Sequence, residues 1–113
     1  MNLPDDLQRA IAETGAIVKE RYPWWLRPFL LSGVAGITLG RRIYVDESGD
    51  LSRIVRHELV HVRQIKRLGF IRFYWRYIRE YASNRRHGYP AAVAYRQISL
   101  EREAFAAEQE ETL

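Results

Sequence analysis

With 113 residues, 47% hydrophobic and 28% charged, the chain has the length of one domain and an ordinary globular composition, which excludes wholesale disorder. It has no cysteine, so a disulfide framework and any thiolate metal site are excluded, leaving His, Asp and Glu as metal ligands. The net charge of +4 is unevenly spread: residues 53–96 carry 11 basic and 2 acidic groups, and residues 97–113 carry 1 and 5. Such a basic middle reads either as solvated helix faces or as a surface that attracts nucleic acid, anionic lipid or an acidic partner.

Residues 4–13 read as a short helix, with Asn2 as cap, Pro4 in the first turn and Leu7, Ala10 and Ile11 on one face. Ile17 and Val18 are candidates to extend it past Gly15. Asp5 and Asp6 stand where the basic start of a secretory signal would lie, so a cytoplasmic protein is expected. The apolar run from Trp24 to Leu39 is broken by Arg27 and Pro28, which argues against a transmembrane segment. Its aromatic part, Tyr22 to Leu31, carries two prolines that forbid a regular helix and is expected to pack into the core.

Over residues 34–46 the period shortens to that of a strand. Ala35, Ile37 and Leu39 fall on one side and Thr38 on the other, and Ile43-Tyr44-Val45 follows a turn or bulge at Gly40. Only a small sheet or hairpin fits. Ser48 or Asp50 then caps a helix over residues 51–68, whose apolar positions 51, 54, 55, 59, 62, 65 and 68 have helical spacing and which Gly69 stops. A second helix is predicted over residues 70–83, with Phe70, Phe73, Tyr74, Tyr77, Ile78 and Tyr81 as a wide core-facing stripe. Residues 84–90 read as a loop, Pro90 starts a short helix to about Arg96, and a last helix runs from about Leu100 to Glu110. The expected fold is α+β and mainly helical, a single domain over residues 1–113.

The longest helix contains His57-Glu58-Leu59-Val60-His61. Two histidines four apart project from one helix face, one turn from each other, so that both imidazoles can reach one ion. The glutamate between them is placed to take a proton from a metal-activated water. A catalytic zinc site needs a third protein ligand. A third histidine six residues beyond His61 is excluded by Arg67, and a later aspartate is excluded because none follows Asp50. The candidates are His87 in the loop, and Glu101 or Glu103 in the last helix. Each of these glutamates is followed one turn later by alanine, Ala104 or Ala106 and Ala107, which lets the two helices lie close.

The pairing of His57-Glu58-Leu59-Val60-His61 with Glu101-Arg102-Glu103-Ala104 resembles the gluzincins, the thermolysin-like HExxH peptidases, and among them the smallest single-domain members. The strand Ile37 to Gly40 resembles the edge strand that lines their cleft. The resemblance implies a minimal zincin-like fold, Zn2+ held by His57, His61 and Glu101, and Glu58 as the base in hydrolysis of a peptide or protein substrate. Phe105 stands where the family has an aspartate beside a zinc histidine, so Glu103, Glu108 or a backbone carbonyl must orient that ring. For the oxyanion the candidates are Tyr95, the preferred one, with His87, Tyr89 and Arg96. Two other readings stand beside the peptidase: a metal-binding module of the same fold without proteolysis, and a basic binder of nucleic acid or a membrane surface. No nucleic-acid recognition motif is present, so no specific nucleic-acid partner is expected.

Overall fold

The computed structural model describes residues 3–19, 36–45 and 50–108. Asn2, the Tyr22 to Leu31 stretch, Ala35, Ser48 and the chain past Glu108 lie outside the described residues. Helix α1 spans Asp5–Thr14, and Gly15, at φ 71°, ends it in a left-handed turn. Ile17 and Val18 do not extend this helix. They belong to a short strand, β1 (Ile17–Lys19), that pairs parallel with β3 (Arg42–Val45). Strand β2 (Gly36–Leu39) pairs antiparallel with β3, giving a sheet in the order β1-β3-β2. Four helices follow: α2 (Leu51–Leu68), α3 (Phe70–Arg86), α4 (Ala91–Arg96) and α5 (Ser99–Glu108). The fold is mainly helical α+β with a small three-stranded sheet. Among the described residues no helix is long and apolar enough to cross a membrane.

The β2–β3 hairpin turns at Gly40 and Arg41. Gly40 has φ 65° and no described non-glycine residue has positive φ, which fits a type II′ turn. In such a two-residue hairpin the closing pair, Leu39 and Arg42, is hydrogen-bonded, so the main-chain groups of Gly36 and Thr38 face away from β3. Asp50 caps α2 by accepting from the Arg53 N–H at 3.3 Å.

Helix α2 is enclosed through its middle because two apolar clusters meet on it. One joins Leu7 and Ala10 of α1, Ile43 and Val45 of β3, and Ile54, Val55, Leu59 and Val62 of α2. The other gathers Phe73, Ile98 and Leu100, with Ile65, Leu68, Tyr74, Tyr77 and Tyr81 against them. Arg56 is buried too, and its Nη1 donates to Asp6 Oδ2 at 3.1 Å, tying α2 to α1.

Gly36 sets how closely β2 approaches α2. A Cβ there would lie 2.7 Å from Ile54 Cγ2 and 3.1 Å from Glu58 Cγ. Gly36→Ala is therefore expected to cost about 1–3 kcal/mol through overpacking. Thermal melts check this, and an unchanged midpoint would mean that the strand can back away freely.

Helix α3 starts at Phe70 as expected but departs from the expected pattern at its C-terminal end and in its buried face. It runs on through Asn84, Arg85 and Arg86, so the loop begins at His87. The predicted core stripe is only partly inward: Phe73 is buried, Tyr74, Tyr77 and Tyr81 are half-buried, and Phe70 and Ile78 are exposed.

Candidate metal centre

One helical turn apart on α2, His57 and His61 face α5, their ring centroids 5.0 Å from each other and edge to face. Helix α5 packs against α2, and Ala104, one turn after Glu101, is fully buried. Its start is fixed by Glu80 of α3, whose Oε1 accepts from the Ser99 N–H and whose Oε2 accepts from the Ser99 hydroxyl, both at 2.8 Å. Burial works against the Glu80 carboxylate, but these donors and Arg76 outweigh it and hold the group below its usual range. Glu80 thus anchors the helix two residues ahead of Glu101.

Glu101 Oε1 lies 2.7 Å from His57 Nε2 and 2.9 Å from His61 Nε2. Its other oxygen accepts from the Tyr77 hydroxyl at 2.5 Å. Behind the rings, His57 Nδ1 meets Glu108 Oε1 at 2.7 Å and His61 Nδ1 meets Gln64 Oε1 at 2.8 Å. The Gln64 amide nitrogen donates to the Leu100 carbonyl at 3.0 Å and to Glu103 Oε1 at 2.9 Å. Both of its hydrogens are thereby used, so its carbonyl must face the histidine and His61 Nδ1 must carry a proton. Glu108 imposes the same on His57. In a neutral ring this leaves Nε2 as a lone pair aimed at the point where Glu101 arrives.

Glu58 is buried on the sheet side of the histidines, and Thr38 Oγ1 of β2 donates to its Oε2 at 2.9 Å. Thr38 is the buried residue of β2, with Ile37 and Leu39 half-buried. Ligand atoms of His57, Glu58 and His61 lie within 4.8 Å of one another. On the far edge of β2, Tyr74 Oη donates to the Thr38 carbonyl at 2.8 Å and accepts from the Gly40 N–H at 3.3 Å.

The charges explain what this arrangement asks for. Burial alone would depress both histidines, but hydrogen bonds to Glu101 and the nearby carboxylates win, raising His57 and lifting His61 to about 9. Burial pushes Glu58 up, whereas Glu101 is held far below the usual carboxylate range against its own burial by the two imidazoles. Each ring has a side-chain oxygen at both nitrogens, an arrangement that, without a cation between them, favours protonated rings side by side in the interior. One divalent ion would replace the two Nε2 protons charge for charge. The donor set, two imidazoles and a carboxylate with oriented rings, fits zinc. The observed N···O separations are hydrogen-bond distances, a few tenths of an ångström under the spacing of ligands around tetrahedral zinc, roughly 3.3 Å for bonds of about 2.0 Å.

A pH dependence follows. The folded pKa of His61, about 9, is above its unfolded value of 6.5. Its contribution to stability is therefore full below pH 6.5 and lost as pH rises through about 9; the raised His57 acts in the same direction. In chelator, the melting temperature is expected to fall across this window, while the gain from added zinc grows because fewer protons compete for the rings. A zinc-induced shift that is constant from pH 6.5 to 9 would contradict this.

The structure brings His57, Glu58, His61 and Glu101 together, with Tyr95 half-buried near them and its ring 6.0 Å from that of Phe105. Burial and the negative charges of Glu101 and Glu58 keep the Tyr95 phenol protonated well above its usual range. His87 is not at the site: it is exposed, and its Nδ1 meets the Ser83 carbonyl at 2.7 Å. Tyr89 is 45% exposed, and the Arg96 guanidinium lies over the Phe105 ring at 5.5 Å. Glu103 is exposed on α5 and reaches Gln64, not the histidines. Gln64, Tyr77, Thr38 and Tyr74 went unmarked as site residues in the sequence. Gln64 left a trace, being three residues after His61 and so on the same helix face.

No family model, curated protein or solved structure matches this chain.

Proposed function

We propose that the chain is a zinc-dependent, gluzincin-like peptidase of minimal zincin-like fold, holding the metal through His57, His61 and Glu101. The observation that carries this is the convergence of Glu101 Oε1 on both Nε2 atoms, with each Nδ1 already occupied by a side-chain oxygen. Zinc, when bound, supplies a Lewis acid that lowers the pKa of a water towards about 7 and polarises a peptide carbonyl. Thr38 occupies Oε2 of Glu58, which leaves Oε1 to take the proton from the attacking water. Glu58 then passes that proton to the leaving amine. Tyr95, kept protonated, is the candidate donor to the developing oxyanion.

The substrate in this reading is an extended peptide laid along the outer edge of β2. Tyr74 already holds the Thr38 carbonyl and the Gly40 N–H, so the peptide would pair with Gly36 and the Thr38 N–H. The reading carries with it the cytoplasmic setting expected from the sequence.

One observation favours a second reading, a metal-binding module without proteolysis. His57, Glu58, His61 and Glu101 are each no more than 6% exposed. Metal analysis of wild type and His57→Ala, with cleavage of a peptide library, tests both. Zinc near one equivalent, lost in the variant, together with cleavage supports the peptidase; zinc without cleavage supports the module. No zinc in the wild type would sink both.

A further inference from the structure

Helix α3 carries two apolar faces, and among the described residues the interior uses one. Phe73, Tyr77 and Tyr81 pack in the second cluster. Ile71, Trp75 and Ile78 are 81%, 66% and 61% exposed. At about 100° per residue this i, i+4, i+7 set spans roughly 60° of the helix surface, well away from Phe73 and Tyr77. Exposed Arg72 and Arg79 run beside the row and Arg86 continues their line, while Arg85 stands on the other flank. The single acidic residue of the helix, Glu80, is turned away onto Ser99 and Arg76.

We propose that this face docks on an anionic lipid surface, with α3 lying in the plane of the interface. Charge complementarity chooses the occupant. A second copy of the chain would set arginine rows against each other with no carboxylate on the face to pair them, whereas anionic headgroups supply that charge in two dimensions. The shape agrees. One row of side chains standing off a helix is convex, and acyl chains yield to a convex wedge. An indole and two isoleucines between arginines match an interfacial helix, in which apolar tips enter the headgroup boundary and guanidinium groups stay at phosphate level.

The full chain is mixed with unilamellar vesicles of phosphatidylcholine alone or with an equal share of phosphatidylglycerol, and bound protein is measured by sedimentation at low and high salt. At least tenfold stronger partitioning onto the anionic vesicles is expected, weakened by salt. Ile71→Ser with Trp75→Ser, and separately Arg72→Glu with Arg79→Glu, are each expected to lose tenfold or more with unchanged circular dichroism melts, since these side chains lie in solvent. Ile78→Ser alone carries the same test if the double variant does not fold. Equal binding to both vesicle types overturns the proposal, as does binding that ignores the apolar substitutions. So does a dimer in analytical ultracentrifugation that Ile71→Ser with Trp75→Ser dissociates, which would make the face a contact between copies.

Discussion

Glu58→Gln is expected to retain zinc at wild-type stoichiometry while peptide hydrolysis falls by about 10²- to 10⁴-fold, the usual worth of a positioned general base. The amide keeps the shape of the side chain and can still accept the Thr38 hydroxyl with its own oxygen. It cannot take a proton. Because burial pushes the native carboxylate up, a neutral group of the same shape is not expected to lower the melting temperature. The measurement is turnover and bound zinc on the same sample. Loss of zinc would mean that Glu58 is a ligand, as its closeness to both histidines permits, and unchanged turnover would remove it from the mechanism.

Glu101→Ala is expected to abolish stoichiometric zinc and also to destabilise the protein in chelator. The carboxylate joins two buried imidazoles and the half-buried Tyr77 hydroxyl, so its removal leaves both Nε2 atoms and that hydroxyl without this acceptor, while Glu108 and Gln64 still hold the Nδ1 atoms. Breaking one side of such a buried pair costs on the order of 3–5 kcal/mol. Urea melts with chelator present isolate that part from any contribution of the metal. Glu101→Gln, which still accepts from Tyr77, is expected to recover part of the stability without restoring the zinc. A variant with alanine at 101 that keeps one equivalent of zinc would show that another group completes the site.

Helix α2 was legible because every local signal agreed: Asp50 at its start, Gly69 at its end and apolar residues at helical spacing between them. The alanines one turn after Glu101 and Glu103 marked a helix that must lie close to another, and the resemblance alone singled out Glu101. Strand β1 was not, because three residues after Gly15 carry no period and their partner on β3 lies more than twenty residues away. The orientation of the His57 ring by Glu108 was open among Glu103, Glu108 and a backbone carbonyl, since it depends on where α5 ends up relative to α2. The stripe on α3 misled for a related reason. Ile78 and Phe70 share its apolar character with Phe73, and a helix with two apolar faces gives no local sign of which one is inside.

Glu101 and the two histidines come from helices 40 or more positions apart in the chain. An ion held among them is therefore a removable cross-link that closes a long loop of α3, α4 and their connections. Its binding energy is shared with folding, because a denatured chain has no such site. Chelation should be felt first at the free end of that loop, where α5 has the Glu101 and Glu108 contacts to α2 to lose, and least in α1, whose packing on the sheet and α2 involves none of the ligands. The same three side chains would then serve as chemistry when the cell supplies metal and as a tether whose strength the cell's metal level sets.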